Sequence, residues 1–257
     1  MQIKNSTTLI TGGASGLGHA TAQALVERGG RVLIIDLNQE QGQAAAQALG
    51  DAALFVQADV TDEAQIQSAI DQAVEQFGRL DVCVNCAGIG SANKTVDREG
   101  APHPLDGFEK VIQINLIGSF NVGRLAAAAM AKNAPIDADG QRGLIVNTAS
   151  VAAFDGQLGQ AAYSASKGGI VGMTLPMARD LASLGIRCNT IAPGIFSTPL
   201  MNGMPDKVKE PLVAMTQFPK RLGHPEEYAR MVVTLIENDF MNGETLRLDG
   251  AIRMQPR

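Results

Sequence analysis

The amino-acid sequence predicts an α/β protein: a doubly wound parallel sheet of about seven strands with helices on both faces. Three observations predict it. Short β-rich apolar runs alternate with longer helical patterns along the whole chain. Strands separated by helices of this length make βαβ units, and these place the strands in parallel. Right-handed crossovers then wind the sheet in both directions from its middle. No proline- or serine-rich linker interrupts the rhythm, so residues 1–257 read as one domain.

The elements follow in order. "TTLIT" at 7–11 is the first strand, followed by a helical pattern over 16–29. "RVLIID" at 31–36 is the second, with a helix over 39–49. "ALFVQ" at 53–57 and "LDVCVN" at 80–85 flank a helix over 62–77. A long helical pattern covers 105–132 and leads to "GLIVNTA" at 143–149. Another covers 158–184 and leads to "IRCNTIA" at 186–192. A helix over 225–237 precedes the last strand, "TLRL" at 245–248. Polar loops at 90–104 and 132–143 break the pattern. So does segment 193–224, rich in Pro and Met, between the sixth strand and the last helix. Open sheets bind ligands at the carboxyl ends of their strands, so this segment is expected to cover a substrate.

Composition narrows the function. The net charge is -5 and no long lysine or arginine run occurs, which argues against nucleic-acid or anionic-membrane binding. No apolar run approaches the roughly 20 residues of a membrane span. A strand by Thr7 leaves no room for a leader before it, so the expected location is the cytoplasm. Cys83, Cys86 and Cys188 are too few for a disulfide framework. Cys83 and Cys86 form a C-x-x-C on a strand, where residues three apart face opposite ways. His19, His103 and His224 are scattered, and no metal site is expected.

"TLITGGASGLGHATAQAL" runs strand, glycine turn, helix, with Gly12, Gly16 and Gly18 spaced G-x-x-x-G-x-G. Glycine permits a tight turn and close approach of a pyrophosphate to the main chain. The following helix presents unpaired N–H groups to that phosphate. The turn's place after the first strand marks a Rossmann-type dinucleotide site. Asp36 ends the second strand, where an acid accepts from the adenosine ribose hydroxyls and repels a 2′-phosphate. Leu37 and Asn38 supply no cation, and Arg31 sits at the wrong end of its strand. The expected cofactor is therefore NAD rather than NADP. Asp59 and Val60 end the third strand where adenine should lie, and "NCAG" at 85–88 ends the fourth.

"AAYSASKGGIVG" at 161–172 places Tyr163 and Lys167 four residues apart, on one helical face. A free phenol, with a pKa of about 10, is a poor acid–base group at neutral pH. A neighbouring ammonium is expected to lower it toward the working range. Ser150 ends the preceding strand, and its hydroxyl is placed to hold a substrate carbonyl. Asn115 lies mid-helix in an apolar run, which calls for a polar partner; it is expected to hold a water behind the lysine. Tyr228, with no lysine at i+4, is expected to be structural.

"TGGASGLG", "NCAG", Asn115, Ser150, "YSASK" and the "PG" at 193–194 occur in order across the whole chain. In these the sequence resembles the short-chain dehydrogenase/reductases. Cys86 stands where that family more often has asparagine, which bears on hydrogen bonding at the strand end. The stretch "NTASVAAFDGQLGQAAYSASKGGIVGMTLPMARDLASLGIR" and the tail "NGETLRLDGAIRMQP" resemble the branch acting on 3-hydroxyacyl-CoA. That resemblance implies an NAD-dependent homotetramer acting on short or branched acyl-CoA esters. It implies Tyr163 as acid–base, Lys167 on the nicotinamide ribose and Ser150 on the substrate oxygen, with Asn115 completing the set. It implies cofactor contacts at Gly12, Ser15, Gly16, Leu17, Gly18, Asp36, Asp59, Val60, Cys86, Ala87, Gly88, Pro193, Phe196 and Thr198. Gln157 would join Ser150 and Tyr163 on the substrate.

Several readings stay open beside it. An acyl-carrier-protein reductase shares the fold but conflicts with Asp36. A steroid or sugar alcohol dehydrogenase shares the cofactor. A non-catalytic scaffold is the reading of another class. Phe196, Leu200, Met201, Met204, Leu212, Val213, Met215 and Phe218 are expected to close over an acyl chain. Lys207, Lys209, Lys220 and Arg221 would meet the coenzyme A phosphates. The tail "DGAIRMQPR" is expected to be buried between subunits, since Ile252 and Met254 would otherwise meet water.

Overall fold

The computed structural model describes residues 1–203 and 205–256, and of Leu200, Asp206 and Val208 the backbone only. The strands are β1 (Thr7–Thr11), β2 (Arg31–Asp36), β3 (Ala53–Gln57), β4 (Val82–Asn85), β5 (Gly143–Thr148), β6 (Ile186–Pro193) and β7 (Thr245–Leu248). They form one sheet in the order β3-β2-β1-β4-β5-β6-β7, and every pairing is parallel. The order reverses between β1 and β4, and the crevice above that point is where such sheets bind nucleotides.

Helices cover both faces, as buried strands require. Alternate residues of each strand feed two cores: Leu9 and Cys83 lie on one side, Ile10, Val82 and Val84 on the other. The first side is closed by α3 (Glu63–Phe77), α5 (Gly118–Met130) and α6 (Ala161–Ala182) through Ile66, Val122 and Met177. The second is closed by α1 (Gly16–Val26), α2 (Gln39–Leu49) and α9 (Pro225–Glu237) through Leu25, Ala45, Tyr228 and Val232. Cys83 and Cys86 do fall in different cores, and all three cysteines are free thiols. Burial pushes the Cys188 thiol up to about 12 and Cys83 higher still, so both behave as apolar side chains.

Several boundaries depart from the sequence pattern, and the helix expected over 158–184 runs Ala161–Ala182. The first helix stops at Val26, because the chain turns at Gly29, whose φ is 80°. The pattern over 105–132 is not one helix. It is α4 (Leu105–Ile112), a π turn over Gln113–Ile117, and α5. β4 starts at Val82; the Asp81 carboxylate accepts from Thr7 N and Arg79 Nε, while its backbone bonds Thr7 O and Leu144 N.

Segment 193–224 carries two short helices, α7 (Pro199–Asn202) and α8 (Asp206–Met215). Phe196 is buried, Met201, Leu212, Val213 and Met215 are half-buried, and Phe218 is 82% exposed. Met204 and the Leu200 side chain lie outside the described residues. The tail corrects one expectation. Ile252 is fully buried within its own chain, so it needs no second subunit to shield it. Within the chain the tail bonds residues 157–158 and 215–218.

Candidate active site

The turn after β1 meets its requirements through two glycines. Gly12 has φ +63°, and a Cβ there would lie 3.0 Å from Ala87 N. A Cβ on Gly18 would lie 2.3 Å from Gly12 O, so only glycine lets α1 rest on the turn. Ser15 precedes α1 with an exposed side chain that makes no capping bond. Gly16 faces Thr198, 3.6 Å away at the position a Cβ would take, which brings the start of α7 over the turn. Leu17 packs into the core beneath.

Asp36 does more than end β2. Its Oδ2 accepts from Ala14 N at 3.2 Å, and its Oδ1 accepts from Asn38 N at 3.1 Å. The carboxylate therefore faces the glycine turn with lone pairs to spare. Asn38, not Asp36, caps α2 by accepting from Gln41 N. Arg31 donates to Phe77 O at the far end of its strand, as its position implied. Asp59 accepts from both N and Oγ1 of Thr61, and Asn121 Nδ2 donates to Val60 O, holding the end of β3. Val60 packs against Gly118, where a Cβ would come within 2.6 Å. Pro193 is buried at the end of β6, and Phe196 lies against Gly223.

At the reacting end, Lys167 is 5% exposed and its Nζ donates to Thr148 O at 2.7 Å. It stands 5.8 Å from the centroid of the Tyr163 ring. Burial lowers the lysine to about 8, with the nearby Cys86 pulling the other way. Tyr163 corrects the sequence reading. Burial pushes its phenol up, and hydrogen bonding with Ser150 opposes this; the lysine is not what dominates. The desolvation of the phenolate outweighs the hydrogen bond with Ser150. Ser150 Oγ also accepts from Ala152 N at 3.1 Å, which fixes its rotamer toward the site.

Asn115 finds its polar partners at the π turn. Its Nδ2 donates to Ile89 O and Ser166 Oγ, and its Oδ1 accepts from Ile89 N at 2.8 Å. The side chain thus pairs like a strand with the backbone that follows "NCAG". A single π turn inside a helix is a recurrent device at functional sites, and here it swings one amide inward. Both amide donors are used. A Cβ on Gly88 would sit 3.1 Å from Asn115 Oδ1 and 3.6 Å from Lys167 Nζ. Gly88 therefore lets these groups converge. Gln157 is half-buried and its Nε2 donates to Gln255 O.

Two residues escaped the sequence reading. Thr11 Oγ1 accepts from both Cys86 N and Ala87 N at 3.1 Å, tying β1 to the fourth strand end. Thr148 carries the carbonyl that anchors Lys167. Its hydroxyl meets Tyr228 Oη at 2.7 Å, and both hydroxyls contact Cys86 Sγ at 3.6 Å. Cys86 thus takes part in strand-end bonding as a weak thiol partner. Tyr228 is structural, as expected, and burial keeps its phenol neutral. The signal for Thr11 and Thr148 was a hydroxyl at each strand's last position, which alone is too common to weigh.

A parallel sheet with a glycine turn at its switch point, and a serine, tyrosine and lysine converging beside it, defines a nucleotide-dependent oxidoreductase. The chain belongs to the short chain dehydrogenase family, whose pattern matches residues 6–209. It is 58% identical over 255 residues to 3-hydroxyacyl-CoA dehydrogenase type-2 of Bos taurus, covering 99% of this chain and 97% of that one. The protein of the same name from Drosophila melanogaster is 54% identical over 255 residues, covering 99% and 100%. The crystal structure of 3-hydroxyacyl-CoA dehydrogenase type-2 from Mycobacterium avium superposes with a TM-score of 0.94 at 44% identity, covering all of both chains. Among the described residues, no helix is long and apolar enough to cross a membrane, and no cluster of His, Cys, Asp or Glu is placed to hold a metal.

Proposed function

We propose that the protein interconverts (S)-3-hydroxyacyl-CoA and 3-oxoacyl-CoA esters of short or branched chain, with NAD as cofactor. The observation that carries the reading is the 58% identity, across 99% of the chain, to a protein named for that reaction. The converging Ser150, Tyr163 and Lys167 support it.

The residues present fit a dinucleotide. Gly12 and Gly18 leave a cradle that side chains would fill, and Asp36 turns a carboxylate toward it. When bound, the nicotinamide accepts or supplies the hydride. Everything else falls to the chain. Ser150 Oγ holds the substrate oxygen. Tyr163 Oη takes the hydroxyl proton in oxidation and returns it in reduction. Lys167, buried and still charged below about pH 8, stabilises the phenolate as it forms. Asn115 keeps the 88–89 backbone in place beside it. Phe196, Met201, Leu212, Val213 and Met215 offer the acyl chain an apolar cover, and methionine repacks around branches. In this reading Lys207, Lys209 and Lys220 meet the coenzyme A phosphates; Lys207 and Lys220 are exposed, and Lys220 Nζ donates to Ala214 O at 3.1 Å. Arg221 is committed elsewhere, with both Nη atoms on the Glu227 carboxylate at 2.8 and 2.9 Å. The reading includes a cytoplasmic homotetramer.

The test is turnover followed at 340 nm. Acetoacetyl-CoA and 2-methylacetoacetyl-CoA should be reduced with NADH far better than free acetoacetate, because remote binding energy acts in the transition state. NADH should be preferred to NADPH. Equal efficiency on free acetoacetate, or a preference for a steroid over every acyl-CoA, would defeat the assignment and leave the family standing.

A further inference from the structure

Two stretches flank the reacting groups. Residues 151–160 connect Ser150 to Tyr163, and segment 193–224 lies over the glycine turn through Thr198. Neither is held by the sheet ladder along its length. Both are held by the last ten described residues.

Arg247 Nη2 donates to Asp155 Oδ2 at 2.6 Å, and its guanidinium stacks 5.2 Å from the Phe154 ring centroid. Gln157 Nε2 donates to Gln255 O at 2.9 Å, and Leu158 N donates to Pro256 O at 3.0 Å. These four contacts tie the first stretch to the tail. On the other side, Gln217 N and Phe218 N both donate to Gly250 O, and Gln255 N donates to Met215 Sδ at 3.3 Å. Between the two sets the tail is anchored. Ile252 is fully buried, and Arg247 Nη2 also donates to its carbonyl. Gly250 and Ala251 have φ of 57° and 60°, which reverses the chain. A left-handed alanine is uncommon, and here Asp249 Oδ1 holds it by accepting from Ala251 N.

We propose that residues 247–256 form a strap joining the two walls of the substrate cleft, with Arg247 and Gln255 as its positioning residues. Among the described residues, Gln255 is the one in the strap that bonds both walls, its carbonyl accepting from Gln157 Nε2 and its N–H donating to Met215 Sδ. The strap fixes the distance between Ser150 with its connector and the cover over the acyl chain. Misplacement of such groups by a fraction of an ångström lowers the rate steeply. The role assigned to the cleft rests on the acyl-CoA reading above; the joining of the walls does not.

The test is truncation after Arg253, which removes Gln255 and Pro256 but keeps the Arg247–Asp155 pair and Ile252. Hydrogen exchange, read by mass spectrometry, should rise together in residues 155–160 and 212–218 and stay unchanged in β1, β4 and β5. The kcat/KM for acetoacetyl-CoA should fall about tenfold or more, with NADH affinity unchanged. Asp155→Asn, a milder variant, should raise exchange in 151–160 alone. A rise on one wall only in the truncated protein, or on neither, overturns the strap. So does a fall in NADH affinity that parallels the loss of turnover, since that marks general loosening. Absence of acyl-CoA turnover in the wild type would defeat the functional reading and leave the exchange result to decide the strap.

Discussion

Tyr163 and Lys167 show how burial governs a reacting pair. Solvent removal raises the phenol and lowers the ammonium, so each moves toward its neutral form. Oxidation of a hydroxy ester, which needs the phenolate, should therefore climb as pH rises above neutral, whereas reduction, which needs the phenol, should not. Tyr163→Phe should lower turnover by on the order of 10²–10⁴, the usual worth of general acid–base help. NADH binding should survive, because the ring remains. Retention of more than about a tenth of the activity would sink the assignment. Lys167 also burdens the fold. Unfolded, it takes a proton near 10.5; folded, only below about 8. Between those values the unfolded chain binds more protons, so stability rises with pH across that window. Below it the cost is complete, at roughly 3 kcal/mol. Lys167→Met should therefore be inactive yet no less stable at pH 7. Its advantage in urea should shrink as pH rises from about 8 toward 10.5. A lysine variant that unfolds more easily at pH 7 would show that the Thr148 bond outweighs the burial cost.

Single side chains also decide where elements end and meet. Arg187 projects from β6, with Nη1 donating to Leu235 O and Met241 O and Nη2 to Ile236 O. These are carbonyls at and just beyond the last turn of α9, where a helix leaves its acceptors unpaired and favours positive charge. Arg187→Met should cost on the order of 3 kcal/mol, since buried acceptors lose a charged donor. A lower urea midpoint at unchanged slope is the expected record. An unchanged midpoint would mean that water satisfies those carbonyls. The same logic explains the break in the helical pattern over 105–132. Asn115 must reach Ile89, and a π turn supplies the rotation that a continuous α-helix would not.

Across the whole molecule, exposed apolar side chains mark surface that a monomer leaves in water. Ile117 and Phe120 are 44% and 48% exposed and stand three residues apart on one face of the chain entering α5. If the protein is a homotetramer, this face should lie between subunits, and Phe120→Asp should shift sedimentation toward smaller species. A variant that sediments like wild type would place the contact elsewhere. The tail no longer supports that expectation by itself, because Ile252 is covered by its own chain.

The strand set, the parallel doubly wound sheet and the ends of the nucleotide turn were legible in the linear order. Alternating apolar runs and a glycine spacing are local signals, and the rules of crossover leave few ways to assemble them. The linear order also placed Tyr163 and Lys167 on one face, because four residues make roughly one helical turn. What those groups experience was set by the fold. Desolvation at Tyr163 depends on everything packed around it, and no spacing reports that. Thr11 and Thr148 came to light only when strands distant in sequence lay side by side. Arg221 was drawn to Glu227, and Ile252 into its own chain, by neighbours that the linear order does not show. Hydrogen bonds and burial are properties of assembled surfaces, and the chain has those surfaces only once it is folded.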